Sequence, residues 1–272
     1  MSRISDLVAR KAGLRVIGDV QGYADPFRDL IAEARALDLA ILQLGDIIDR
    51  GPDSPGAMSL MLDLAGRGDG AQIAGNHCDK FYRYRQGRKV ESARSGLAQT
   101  IGQLAQRRDG EDLARRYADY VARLPLWLGT AAFAFVHGAF HPEMRKRRAP
   151  TVADRSRDRR LSSLALFGET DGSVTPDGKP HRTYRWVSQV PAGLTVCVGH
   201  DVVSTTEIVT RTSPQGGKVI HLDLGADRGG RIGYLDLSRD DLLADPVARS
   251  QATHRQAGPE RSLLERRRRE TT

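Results

Sequence analysis

Apolar residues in this chain come in short runs that end abruptly. Leu14-Arg15-Val16-Ile17 stops at Gly18, Leu39-Ala40-Ile41-Leu42-Gln43-Leu44 at Gly45, and Ala71-Gln72-Ile73-Ala74 at Gly75. Between them apolar positions recur at helical spacing over 26–37 and 54–65. The first third therefore predicts strand and helix in alternation, with a short leading helix over 4–12. Residues 79–125 show no strand signal and predict helices over 80–85, 97–106 and 112–124, an inserted helical region. Strands resume over 131–136, 194–198, 218–224 and 232–237. The stretch 141–193, rich in Arg, Gly and Pro, reads as long functional loops. Composition turns polar beyond Leu243, which divides the chain into a domain over 1–243 and a basic, flexible tail over 244–272. This order of elements is that of an α/β sandwich, whose buried strands deliver side chains from their carboxyl ends into a shared crevice.

Each run gives way to a polar cluster of specific composition. The clusters are Gly18-Asp19-Val20-Gln21-Gly22, Gly45-Asp46-Ile47-Ile48-Asp49-Arg50-Gly51, Gly75-Asn76-His77, Val136-His137-Gly138 and Val198-Gly199-His200. Carboxylate, amide and imidazole at buried strand ends are the donors that hold two adjacent divalent cations. A single Gly-Asp pair is commonly a turn, and a lone histidine is commonly a core or surface residue. Five such clusters together make metal binding the better account. Two neighbouring cations need a bridging anion, for which Asp46 is the candidate; Asp19 then completes one site and Asn76, His137 and His200 the other. His77, next to Asn76, is placed to face the substrate, with Asp49 holding its imidazole as a protonated leaving-group acid. Arg50 and a second arginine, Arg182 with Arg185 in reserve, are candidates to fork onto phosphate oxygens.

Composition narrows this further. The chain has 272 residues, 39% of them apolar, enough for a substantial core. No apolar run reaches membrane-spanning length, and 1–13 carries charges where a signal peptide would be apolar, so a cytoplasmic protein is expected. Cys78 and Cys197 have no zinc-knuckle or disulfide spacing and are expected to be thiols. The net charge of +8 favours polyanionic partners, and residues 144–160 hold eight basic against two acidic side chains, 8 − 2 = +6. Both that segment and the tail are candidates for nucleic-acid contact. A non-catalytic binding module would be marked by loss of Asp46 or His77, and neither is lost.

The motif set GDxxG, GDxxDRG, GNH, VHG and VGH, in order over residues 18–200, resembles the calcineurin-like metallophosphoesterase superfamily, and GDxxDRG is similar to the signature of its phosphoprotein phosphatase branch. The resemblance implies a four-layer α/β/β/α sandwich and hydrolysis of phosphate esters by a metal-bridging hydroxide. The substrate would be a phosphoprotein or a nucleotide or polynucleotide phosphate. A narrower resemblance, to the phosphatase module of bacterial polynucleotide kinase-phosphatase, rests on the stretches 75–80, 86–90, 166–172 and 178–182, and it implies a phosphate contact at Arg182. No GxxxxGK[ST] loop accompanies it, so no kinase half is expected. Gln21 stands where most of the superfamily places a histidine ligand. Bacterial symmetrical bis(5'-nucleosyl)-tetraphosphatases often share that glutamine and are the alternative reading. A neutral oxygen donor is weaker than imidazole for zinc or iron but acceptable to manganese or magnesium, so two Mn²⁺ ions are expected, with iron, zinc, nickel and magnesium the alternatives.

Overall fold

The computed structural model describes residues 3–92, 96–176, 178 and 180–244; the predicted tail lies outside the described residues apart from Ala244. The chain opens with α1 (Arg3–Val8), then alternates β1 (Gly13–Ile17), α2 (Ala24–Ala36), β2 (Leu39–Gln43), α3 (Ser54–Arg67) and β3 (Gly70–Gln72). The insert is α4 (Asn76–Arg85), α5 (Leu97–Ala105) and α6 (Gly110–Ala122). After it come β4 (Trp127–Gly129), β5 (Phe133–Val136), α7 (Arg159–Phe167), β6 (Glu169–Val174), β7 (Pro180–Thr183) and β8 (Thr195–Val198). The chain ends in β9 (Val209–Thr212), β10 (Lys218–His221), β11 (Asp223–Leu224), β12 (Arg231–Ile232), β13 (Tyr234–Ser238) and α8 (Arg239–Leu243).

Two sheets carry the fold, ordered β13-β1-β2-β3 and β4-β5-β8-β10-β9. The motif-bearing strands lie parallel within each sheet: β1, β2 and β3 in one, β5, β8 and β10 in the other. Register aligns Ile17 with Gln43, and Gln43 with Gln72, so three carboxyl ends open on the same edge. Period-two alternation decides which side chains meet. Leu14, Val16, Ala40, Leu42, Phe133, Phe135 and Cys197 share one buried cluster between the sheets. Their neighbours face outward. Ile17, Leu39 and Ile41 join Phe27, Ile31, Met58 and Met61 from α2 and α3, while Ala134, Val136, Val196 and Val198 share their cluster with Leu161, Ala165 and Trp186. Each fully buried Leu, Ile, Val or Phe contributes roughly 1.5–3 kcal/mol, which fixes the sheets face to face with helices outside, a four-layer α/β/β/α sandwich. Helix α3 is set locally: Asp53 accepts from the Gly56 N–H at 2.8 Å, and Gly68 closes the helix at φ 72°.

Two sequence readings are corrected. The strand expected over 218–224 breaks at Leu222, because β10 pairs with β8 whereas β11 pairs with β12. The Leu222 carbonyl presses so closely on Gly18 that a β-carbon there would lie 2.1 Å away. The loops expected over 141–193 contain α7 and the β6–β7 hairpin. The apolar face of α7, with Leu161, Ala165 and Leu166 buried, is masked in the sequence by flanking arginines.

Candidate metal centre

The site begins with the backbone. Gln21, Asp46, Asp49, Arg50 and His200 have φ of 51°, 55°, 79°, 60° and 68°, and among the described non-glycine residues only Asp38 joins them at positive φ. Such conformations cost about 1 kcal/mol or more each, and they persist where surrounding contacts over-determine them. Here the Val20 and Gln21 N–H groups donate to the Asp46 carbonyl at 3.1 and 2.9 Å, and the Gly51 N–H donates to the Gln21 carbonyl at 2.8 Å. The first two motif loops therefore lock each other. Gly75 is required by contact: a β-carbon there would lie 2.1 Å from Asp46 Oδ1.

On this frame the predicted donors converge. His137 Nδ1–H donates to the Leu44 carbonyl at 2.9 Å, which turns Nε2 inward. That nitrogen lies 3.1 Å from Asp46 Oδ2, 3.0 Å from Asn76 Oδ1 and 3.2 Å from His200 Nδ1. One ligand atom each from Asp46, His137 and His200 lies within 4.8 Å of the others. Asp46 is oriented by the His77 N–H at 2.9 Å, and Asp19 by the His200 N–H at 3.0 Å. Gln21 Nε2 donates to Asp19 Oδ2 at 3.3 Å, which leaves Gln21 Oε1 buried without a partner. His200 Nε2 is likewise buried and unpartnered.

These orphaned atoms, and the crowding of Asp19, Asp46 and Asp223, fit divalent cations. The electrostatics agree. Burial, the Asp223 carboxylate and the Asp46 carboxylate push Asp19 well above the ordinary carboxylate range, against the pull of His137. Burial works to raise Asp46 too, yet His137, His77 and His200 override it and hold it well below that range. His137 answers in kind: burial opposes its charge, but Asp46 and Asp19 raise it to about 9. Protein groups alone are thus short of positive charge at this point, and a cation binding here displaces the His137 proton.

Around the donors stand the predicted catalytic groups. His77 Nδ1 lies 2.5 Å from Asp49 Oδ2, and both side chains are buried. The other Asp49 oxygen accepts from Thr100 Oγ1 at 2.7 Å, and the Ser54 hydroxyl lies 3.0 Å from the same Thr100 oxygen. Arg50 pairs with Asp227 at 2.8 Å. Arg182 donates to the Phe167 carbonyl and pairs with Asp201 at 3.2 Å; Gly168, beside Phe167, packs near both the Arg182 and the His200 side chains. Arg185, the reserve candidate, is mostly exposed, 3.9 Å from Glu169. Thr100, Asp201, Asp227 and the half-buried Lys80, whose charge faces Asp49 and Asp46, were not singled out from sequence. Lys80 sits one turn after Asn76, a spacing that could have flagged it; the others carry no local motif.

The basic segment is less bare than its charge suggests. Arg147 pairs with Glu143 and Asp158, Arg160 with Glu143, Arg157 with Asp154, and Arg155 with buried Asp79 at 2.7 Å. No helix among the described residues is long and apolar enough to cross a membrane.

Comparison with known proteins places this geometry. Two curated relatives are bis(5'-nucleosyl)-tetraphosphatases PrpE (asymmetrical). That of Halalkalibacterium halodurans is 26% identical over 247 residues, covering 85% of this chain and 92% of the relative. That of Bacillus subtilis is 26% identical over 235 residues, covering 80% and 87%. Both carry the asymmetrical name, where the sequence reading weighed the symmetrical kind. Among solved structures, a cold-active protein-tyrosine phosphatase of a psychrophilic Shewanella superposes with TM-score 0.52 at 16% identity, covering 85% of this chain and 76% of that one. A serine/threonine phosphatase of Saccharomyces cerevisiae gives 0.51 at 11% identity, covering 84% and 80%. These two show a shared fold. The family model for calcineurin-like phosphoesterases matches residues 14–227, and with all five motifs inside that span the chain belongs to the calcineurin-like phosphoesterase family, a family of metal-dependent phosphoester hydrolases.

Proposed function

We propose that this phosphoesterase is a manganese-dependent hydrolase of nucleotidic phosphates, with dinucleoside polyphosphates as its favoured substrates. The observation that carries the metal reading is the buried donor set, in which Gln21 Oε1 and His200 Nε2 are orphaned beside paired carboxylates. Asp19, Gln21 and Asp46 would hold one ion, and Asp46, Asn76, His137 and His200 the second. When bound, the pair supplies Lewis acidity and lowers the pKa of water near neutral pH. Gln21, a neutral oxygen donor, favours manganese over iron, zinc or nickel, with magnesium the nearest substitute.

The chain's own residues do the rest. Arg50 and Arg182 present planar donors to the phosphate oxygens, held by Asp227 and Asp201. His77 delivers a proton to the departing oxygen, its ring fixed through Nδ1 by Asp49 and Thr100. A phosphoprotein substrate is the weaker reading: the curated relatives bear nucleotide-hydrolase names, and neighbouring arginines suit extended polyanions. A cytoplasmic location, where nucleotides are plentiful, accords with it. Turnover of diadenosine tetraphosphate, a 3'-phosphorylated oligonucleotide, a 2',3'-cyclic nucleotide and a phosphopeptide under one Mn²⁺ condition tests the assignment. The first should show the highest kcat/KM. Preference for the phosphopeptide would overturn the substrate class, and rates equal to an Asp46→Asn control would make the chain a non-catalytic binder.

A further inference from the structure

A groove of about 340 Å³ that no part of the mechanism uses has Phe167 in its lining, the residue before Gly168 of the cleft wall. Arg88, Arg155, Arg159, Ser162, Ser163 and Phe167 are among the residues lining it. Its chemistry is that of an anion site. Arg88, Arg155 and Arg159 line it, and the buried carboxylate nearby, Asp79, pairs with Arg155 at 2.7 Å and with Arg83 at 3.9 Å. Arg88 and Arg159 make no ion pair among the described residues, in contrast to most of the neighbouring arginines. The Ser163 hydroxyl adds a neutral donor, whereas that of Ser162 is spent on the Arg155 carbonyl at 2.9 Å. Phe167, 41% exposed, offers an aromatic face at the groove's edge.

The groove is tied to the cleft on both walls. On one wall Phe167 passes directly into Gly168, whose N–H packs against Gly138 of the His137 loop, and the Phe167 carbonyl accepts from Arg182. On the other wall, Arg155 is anchored to Asp79, three residues along α4 from Asn76. Lys80 follows Asp79 and its charge faces the cleft. Lys80 is adjacent to Asp79 on α4, and Arg88, Arg155 and Arg159 line the groove.

We infer that this groove is a distal-phosphate subsite: it holds the non-reacting phosphates of a nucleoside polyphosphate whose scissile phosphorus lies at the metal donors, with Phe167 as a face for the base. Its volume falls in the range of small-molecule sites, and free arginines suit bidentate phosphate contacts. The inference rests on the nucleotide reading above and adds where the rest of such a substrate lies. A subsite on one side of the scissile bond also gives the two halves of a dinucleoside polyphosphate unequal environments.

The test uses the full chain and the Arg88→Ala/Arg159→Ala double variant. Arg155 is left intact because its removal would strand buried Asp79. With Mn²⁺, the ratio of kcat/KM on diadenosine tetraphosphate to that on p-nitrophenyl phosphate should fall about tenfold or more, through KM, since each lost charge-assisted contact weakens binding severalfold. Phe167→Ala should lower the same ratio about threefold. An unchanged ratio overturns the subsite. Calorimetric binding of ADP without divalent cation is the second measurement, and its Kd should weaken about tenfold in the double variant. Should the wild type leave the dinucleotide uncleaved yet bind ADP through these arginines, the proposed substrate fails and the anion subsite stands; equal ADP affinity in both proteins removes the subsite.

Discussion

The floor of the cleft, where Asp19, Asp46, Asn76, His137 and His200 meet, is made from strand ends. Its rim, where Arg50, Arg182 and Lys80 stand, comes from a loop, the hairpin strand β7 and helix α4, and both arginines are held by acids from other segments. On the floor, three of the five donors are fixed by backbone: the His77 N–H on Asp46, the His200 N–H on Asp19, the Leu44 carbonyl on His137. At the rim, acidic side chains hold the arginines, Asp227 on Arg50 and Asp201 on Arg182, the latter also bonded to the Phe167 carbonyl. Backbone contacts are set once the sheets form, whereas side-chain pairs can be removed singly without disturbing the fold. Floor substitutions should therefore abolish activity, and rim substitutions should grade it.

The largest effect outside the donors is expected at His77, which belongs to neither class: its backbone N–H holds Asp46, and its ring is the proposed general acid. His77→Ala should slow substrates with poor leaving groups by about 10²–10³-fold and aryl phosphates far less, the signature of a lost general acid. Equal losses on both would contradict the general-acid role. A smaller loss is expected at the rim. Asp227→Ala frees Arg50 to rotate, and kcat/KM should fall about tenfold, while Asp227→Asn, which keeps one acceptor, recovers part of it. A loss as deep as that of Asp46→Asn would erase the distinction between floor and rim.

The same contrast explains what could be read in advance. Asp19, Asp46, Asn76, His137 and His200 follow apolar runs whose alternation marks them as strands, so a one-dimensional pattern carries their placement. Thr100 cannot be found that way. It is one polar residue in the amphipathic helix α5, and it reaches Asp49 because α5 packs on α3. Asp227 reaches Arg50 across 177 positions with no local signal at Asp227 itself. Helix α7 was hidden for another reason: the arginines that suggested loops are largely absorbed by Glu143, Asp154, Asp158 and Asp79. Charge density read from sequence overstates free charge wherever acids fold back onto it.

The smallest predicted effect concerns a residue in neither set and serves as their control. His221 is buried with neither ring nitrogen partnered, edge-on to Tyr184 at 5.6 Å, and burial, aided by Arg211, lowers it to about 4. The unfolded chain takes up this proton below about pH 6.5, the native protein only near 4, so the neutral ring's contribution is full above 6.5 and declines as the pH falls across that window. Urea unfolding in EDTA should show a loss on the order of 1–3 kcal/mol over this range that His221→Leu removes. A parallel pH profile for the two proteins would show that the ring is solvated.

The account depends most on Asp46 serving two cations together. Equilibrium dialysis against Mn²⁺ followed by elemental analysis addresses that directly. About two ions per chain are expected for the wild type, with both largely lost in a folded Asp46→Asn variant, because a shared ligand supports both sites. A single ion per chain, or two ions retained by Asp46→Asn, would contradict it.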